Sequence, residues 1–319
     1  MQHQLEERRK TSTEPAASEA ATAKAGVLYA LAAFFMWGLV VPLHFKLLSA
    51  VPPLQILAYR IVWSSLFALG LIVFARQVRQ LTDALVFSRR LALLCLSAGL
   101  IGVNWLVYIW AVNNGHLVQT SLGYFINPLI NVALGVLFLR ERLHPAQVVA
   151  CGLAGAGVLL LAVSSGEMPW VALTLALSFG VYGLVRKTVP VSPLIGFSIE
   201  SLLLTPLALG YLGLTLLQGS TIAFQGDWSL DFLLVLTGLS TAAPLIWFAA
   251  AARRLKLSTI GLLQYLAPTG QLALGVLVYG EAFGWVEALA FAAIWAALAI
   301  YSVTALRSAH HPTAHPKQA

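Results

Sequence analysis

The chain has 319 residues, 59% of them hydrophobic and 10% charged. A water-soluble domain carries about 25% charged residues, so an ordinary soluble fold is excluded. The net charge of +7 would suit a nucleic-acid binder, but the placement of the basic residues rejects that partner. The two cysteines, Cys95 and Cys151, fall inside apolar stretches. They read as small interior residues, not as a disulfide framework or a zinc site.

Residues 1–24 are polar and hold Glu6, Glu7, Arg8, Arg9, Lys10, Glu14 and Glu19. No short apolar stretch with a cleavage site follows Lys10 directly, so this segment reads as a cytoplasmic tail and not as a signal peptide. Ten apolar runs then follow, at about 26–45, 54–74, 91–113, 118–139, 146–163, 169–185, 194–217, 230–251, 257–279 and 284–306. A bilayer core of about 30 Å needs about 20 helical residues. Lipid offers backbone groups no hydrogen bonds, so each run must be a helix or a barrel strand. Barrel strands alternate polar and apolar residues, and these runs do not. The expected fold is therefore an all-α integral membrane protein of ten transmembrane helices. From about Arg307 a second polar tail follows, with His310, His311 and His315, and it reads as solvated.

With the N-terminus placed inside, every Lys and Arg except Lys46 and Arg60 falls in an inner segment. That is the positive-inside pattern. The basic charge is a signal of topology, with both termini cytoplasmic. Glu167, Asp227 and Glu281 fall in outer loops.

The chain also repeats itself. Ala133–Leu137 and Ala273–Leu277 both read ALGVL, and the same offset pairs Pro128 with Pro268, Glu141 with Glu281 and Lys46 with Arg186. The unit holds five spans, an odd number, so the second half enters the membrane inverted. The expected halves are residues 25–163 and 164–306, between tails 1–24 and 307–319. Inverted repeats are common in secondary transporters, with the substrate site near the midplane between them.

Polar residues inside the spans mark candidate sites. Tyr124, Asn127 and Asn131 share one helix face, as do Gln264, Pro268 and Gln271. Pro128 and Pro268 each remove a backbone bond, freeing the carbonyls of Tyr124 and Gln264. These groups would line a polar cavity or serve as interhelical hydrogen bonds. Arg60 and Glu200 occupy equivalent positions with opposite sign. A charge at that depth faces protein or water, so the two would pair or bracket a substrate, unless Arg60 snorkels to the headgroups. Proton coupling through Glu200 follows as a hypothesis. Trp37, Trp63 and Trp105 lie deep in their spans and would wall a cavity, pack, or face lipid. His44 and His116 read as bland. Gly152, Gly155 and Gly157 offer a close-packing face, within the chain or in a homodimer. The expected substrate-binding set is Arg60, Glu200, Tyr124, Asn127, Asn131, Gln264, Gln271, Trp37 and Trp63. No cofactor, metal or catalytic set is expected, and no phosphate-binding loop is present.

Five segments carry a family resemblance: Gly26–Lys46 (GVLYALAAFFMWGLVVPLHFK), Tyr59–Ser64 (YRIVWS), Asn113–Asn131 (NNGHLVQTSLGYFINPLIN), Tyr182–Lys187 (YGLVRK) and Arg254–Thr269 (RLKLSTIGLLQYLAPT). Over about residues 26–306 the chain resembles the EamA branch of the drug/metabolite transporter superfamily. The resemblance implies two inverted five-helix repeats in a bacterial inner membrane. It also implies a central cavity lined by helices 1–4 and 6–9, with helices 5 and 10 peripheral. The function implied is transport of a small organic metabolite or drug, such as an amphenicol or an amino-acid-like compound. The alternative is a membrane-embedded sensor or scaffold that binds a ligand without moving it.

Overall fold

A computed structural model describes residues 21–86, 88–114, 116–164, 169–220, 227–278, 280 and 284–310. Among these, the chain forms helices and no strands. In order they are α1 (Ala21–Leu47), α2 (Pro53–Phe74), α3 (Val78–Leu85), α4 (Arg89–Asn113), α5 (Leu117–Leu139), α6 (Pro145–Ser164), α7 (Trp170–Thr188), α8 (Pro193–Leu217), α9 (Trp228–Ala252), α10 (Leu257–Leu277) and α11 (Trp285–His310). Glu167, Glu281, His311 and His315 lie outside the described residues.

The helix ends follow local chemistry. Prolines 53, 145 and 193 open α2, α6 and α8, where a missing N–H is harmless. Ser88, Ser192 and Asp227 accept bonds from the first free amides of α4, α8 and α9. Beyond α5 the chain leaves the helix through Arg140 at φ 55°, a left-handed residue at the usual stopping position.

Among the described residues, nine helices are long and apolar enough to cross a membrane. Within the bundle, α7 lies against α4 and α5. It has 19 residues and carries Arg186 and Lys187 in its last turn, which lowers its hydropathy. The short α3 lies between the runs expected at 54–74 and 91–113. Leu81 and Ala84 give it one apolar face, which packs on α8. The outward surface is studded with Leu66, Leu71, Phe74, Leu207 and Leu209. Lipid, not water, must cover residues of that kind. Cys95, expected in the interior, lies on this surface, and Cys151 is half-buried. Gly157 faces the Ala290 backbone of α11 within the same chain, whereas Gly152 meets nothing within 4 Å.

The helices recur in register. α2 and α8, α5 and α10, and α6 and α11 start at the offset seen in the sequence, and each packs on its counterpart. Other contacts come in matched pairs. α5 on α7 is answered by α10 on α1, and α4 on α8 by α9 on α2. Exchanging α1, α2, α4, α5 and α6 for α7 to α11 in order carries each of these contacts onto itself or onto another of them. Ser65 and Thr205, separated by 140 residues, share a hydrogen bond of 2.7 Å. Equivalent residues touch only close to an axis that relates the two sets.

Candidate functional site

Two helices depart from regular geometry where they meet. α1 widens into a π-helical turn at Met36–Val40, and Pro42 follows, unable to bond back to Gly38. The Trp37 carbonyl accepts a 3.1 Å bond from Gln271 Nε2 of α10. α10 is itself interrupted at Tyr265, between Leu257–Gln264 and Leu266–Leu277, three residues before Pro268. Gly38 and Gly270 lie face to face at this crossing, and a Cβ on either would press on the other helix's backbone. α5 carries Pro128 without an interruption.

Around these broken segments lies a cavity of about 870 Å³. Its wall takes Trp37, Phe45 and Lys46 from α1, Arg60 from α2, and Asn104, Trp105 and Tyr108 from α4. Thr120, Tyr124 and Asn127 come from α5, Phe179 from α7, Ser240 and Thr241 from α9, and Gln264, Pro268 and Gln271 from α10. These residues lie from mid-helix toward one end of the bundle, the end reached by Lys46, Asn114 and Val278.

The floor is a ladder of amides. Asn131 Nδ2 donates to Gln264 Oε1 at 2.7 Å and to Asn127 Oδ1 at 3.2 Å. Asn127 Nδ2 in turn donates to the Ala176 carbonyl at 3.0 Å. The ladder ties α5, α10 and α7 together, as buried amides in a membrane must be tied.

Below the floor, bonds between helices tie the bundle together. Glu141 caps α10: Oε1 accepts from Leu257 N at 2.7 Å, and Oε2 accepts from Ser258 N at 2.9 Å and Ser258 Oγ at 2.6 Å. A carboxylate at a helix N-terminus is electrostatically favoured. Lys187 Nζ donates to the Ala252 and Leu255 carbonyls, capping the end of α9. Arg253 bonds the Val191 carbonyl. The Arg254 guanidinium lies 5.1 Å from the Tyr29 ring.

Arg60 sits on the cavity wall in an aromatic bracket. Its guanidinium carbon lies 4.3 Å from the Trp105 ring and 5.6 Å from the Phe45 ring. Its Nε is shut off from solvent without a hydrogen-bond partner. Glu200 lies elsewhere. It is buried between α7, α8 and α4, 3.5 Å from Arg186. Ser97 Oγ donates to it at 2.5 Å and Tyr182 OH at 3.2 Å. Arg60 and Glu200 therefore neither pair nor bracket one cavity.

Of the residues expected from the sequence, Trp37, Arg60, Tyr124, Asn127, Gln264 and Gln271 lie on the wall. Asn131 stands directly beneath them. Trp63 is elsewhere, packed with Leu48, Val51, Ile56, Tyr59 and Leu234. Four contributors escaped the sequence reading. Arg186 was legible only as a span-end cation. Asn104 is a single amide beside Trp105, and Glu141 is a loop acid whose partner lies 116 residues away. His44, which reads as bland, is buried. Its Nε2 donates to the Leu233 carbonyl at 2.9 Å, and its Nδ1 lies 3.1 Å from Ser240 Oγ.

A multi-pass helical bundle with a polar cavity between broken helices is the architecture of a membrane carrier. Comparison with known proteins agrees. The EamA-like transporter family matches residues 24–163. Protein RarD of Escherichia coli is 44% identical over 288 residues, covering 90% of this chain and 97% of that protein. An uncharacterized transporter of Vibrio cholerae is 45% identical over 288 residues, covering 90% and 95%. The chloramphenicol-sensitive protein RarD of Pseudomonas aeruginosa is 35% identical over 277 residues, covering 86% and 92%. A solved crystal structure of 21% identity superposes with a TM-score of 0.66 over 89% of this chain and 98% of its own, a likeness of fold. The chain belongs to the RarD branch of the EamA-like transporter family and is a multi-pass membrane transporter.

Proposed function

We propose that the chain is a secondary carrier of small organic molecules, working by alternating access between two inverted five-helix halves, residues 25–163 and 164–306. In this reading α7 is the tenth span, both termini are cytoplasmic, and the membrane is the bacterial inner membrane. The observation that carries it is a cavity whose wall runs from mid-helix toward one end of the bundle, with cross-helix bonds at the other; in this reading the first end is open and the second closed. With the N-terminus inside, the open end faces outward and the Glu141 end faces the cytoplasm.

The physical logic is a balance of two closures. The closed end is held by a few charge-assisted bonds, each worth about 1.5–3 kcal/mol. A ligand filling the cavity can shift such a balance only by binding one arrangement better than the other. The interruptions in α1 and α10 give each helix a place to bend. The name of the Pseudomonas relative brings amphenicols into the range of compounds to test, beside amino-acid-like metabolites.

Counterflow in proteoliposomes tests this. Vesicles preloaded with an unlabelled transported compound accumulate its radiolabelled form, and empty or protein-free vesicles do not. Compounds that bind the purified protein yet are never accumulated would identify a sensor or scaffold instead.

A further inference from the structure

The two halves carry opposite charges at one pair of equivalent positions, Arg60 and Glu200. In the second half, Arg186 at the end of α7 meets Glu200 of α8 at 3.5 Å, both buried. The equivalent positions in the first half are Lys46 and Arg60, and both line the cavity. Where the second half supplies its own carboxylate, the first half presents a second cation.

Among the described residues lining the cavity there is no Asp or Glu. The Arg60 guanidinium makes no hydrogen bond to the described protein. It is held across Trp105 and near Phe45. It reaches from α2 to Trp105 of α4 and Phe45 of α1, so its charged end faces protein. A guanidinium stacked on an indole keeps its in-plane N–H groups free, and that fork matches a carboxylate. A cationic ligand would find the aromatic faces already occupied by Arg60 and would be repelled by its charge.

We propose that the cavity takes an organic anion with an aromatic or apolar body, and that Arg60 holds its carboxylate. This rests on the cavity being the substrate site of the carrier. Trp37 and Phe179, edge to face with ring centres 5.6 Å apart, form the apolar wall for the body. Tyr108 and Tyr124, 6.3 Å apart, stand near the charged end. The volume of about 870 Å³ lies within the usual range for small-molecule sites, about 300–1,000 Å³.

The test uses three probes that share one body: 3-phenylpropionate, its neutral amide and 3-phenylpropylamine. Each is titrated against the full chain in lipid nanodiscs, with intrinsic tryptophan fluorescence as the readout. The anion binds at least tenfold more tightly than the amide, and the amine does not bind. Arg60→Gln weakens the anion at least tenfold and leaves the amide unchanged. Arg60→Lys, which keeps the charge without the fork, falls between. An anion that fails to bind, an amide or amine that binds as well as the anion, or undiminished anion binding by Arg60→Gln overturns the proposal. The wild-type comparison decides the matter even where a variant misfolds. Flux of the radiolabelled anion is measured separately. An anion that binds through Arg60 but never crosses upholds the anion site and defeats the carrier reading.

Discussion

Ser65 and Thr205 occupy the same place in the two halves, and their hydroxyl oxygens lie 2.7 Å apart. Each oxygen also lies within reach of the carbonyl four residues earlier, on Ile61 and Ser201; one hydroxyl donates to its carbonyl while the other donates across the pair. A contact between equivalents fixes where the two sets of helices turn about each other. Residues close to that axis move least when one set rocks against the other.

A cysteine pair at these positions checks the geometry. In a background with Cys95 and Cys151 replaced by Ser, Ser65→Cys and Thr205→Cys should form a disulfide on mild oxidation. Disulfides need Cβ atoms about 3.5–4.5 Å apart. The measurement is whether fragments cut between the halves stay joined on a non-reducing gel. Free fragments would displace the axis from this point.

The Arg186–Glu200 pair makes a prediction about stability. Removing one partner of a buried pair leaves an uncompensated charge, at about 3–5 kcal/mol. Glu200→Ala should therefore melt well below wild type, and Glu200→Ala with Arg186→Met should recover most of the loss. A Cβ at Gly196 would overlap the Arg186 guanidinium, so Gly196→Ala should resemble Glu200→Ala. Thermal unfolding in detergent measures all three. A double variant no better than the single one would contradict the account.

Much of this was readable from the chain. The spans, the offset and the two proline-bearing polar helices follow from hydropathy and spacing, because lipid imposes helices and punishes polar groups without partners. Arg60 stood out for the same reason. The partner of Glu200 did not, because equivalence under the offset says which residues correspond and not which residues touch. Arg186 precedes Glu200 by a helical hairpin, and only packing brings them together. Trp63 shows the limit of depth as a guide, since it turns toward Tyr59 and Leu234 and away from the cavity. Glu141 lies in a loop, where hydropathy carries no information about partners.

The closed end makes a prediction about access. Glu141→Ala removes three bonds to the start of α10. A cysteine at Ile260, which is wholly buried, should resist a membrane-impermeant maleimide while Glu141 is present. With Glu141→Ala it should label from the side that carries Arg140 and Arg142. Equal protection in both backgrounds would remove Glu141 from the closure.

The central claim is that one cavity meets both sides of the membrane in turn. Thr241 lies on the cavity wall near the middle of α9, so a lone cysteine there reports access from each side. In oriented vesicles, Thr241→Cys should react with impermeant thiol reagents from either face. A disulfide between Glu141→Cys and Ser258→Cys, formed while Thr241→Cys is reversibly blocked, should abolish reaction from the face carrying Arg140 and leave the other intact. Reaction from one face only, with or without that cross-link, would contradict alternating access.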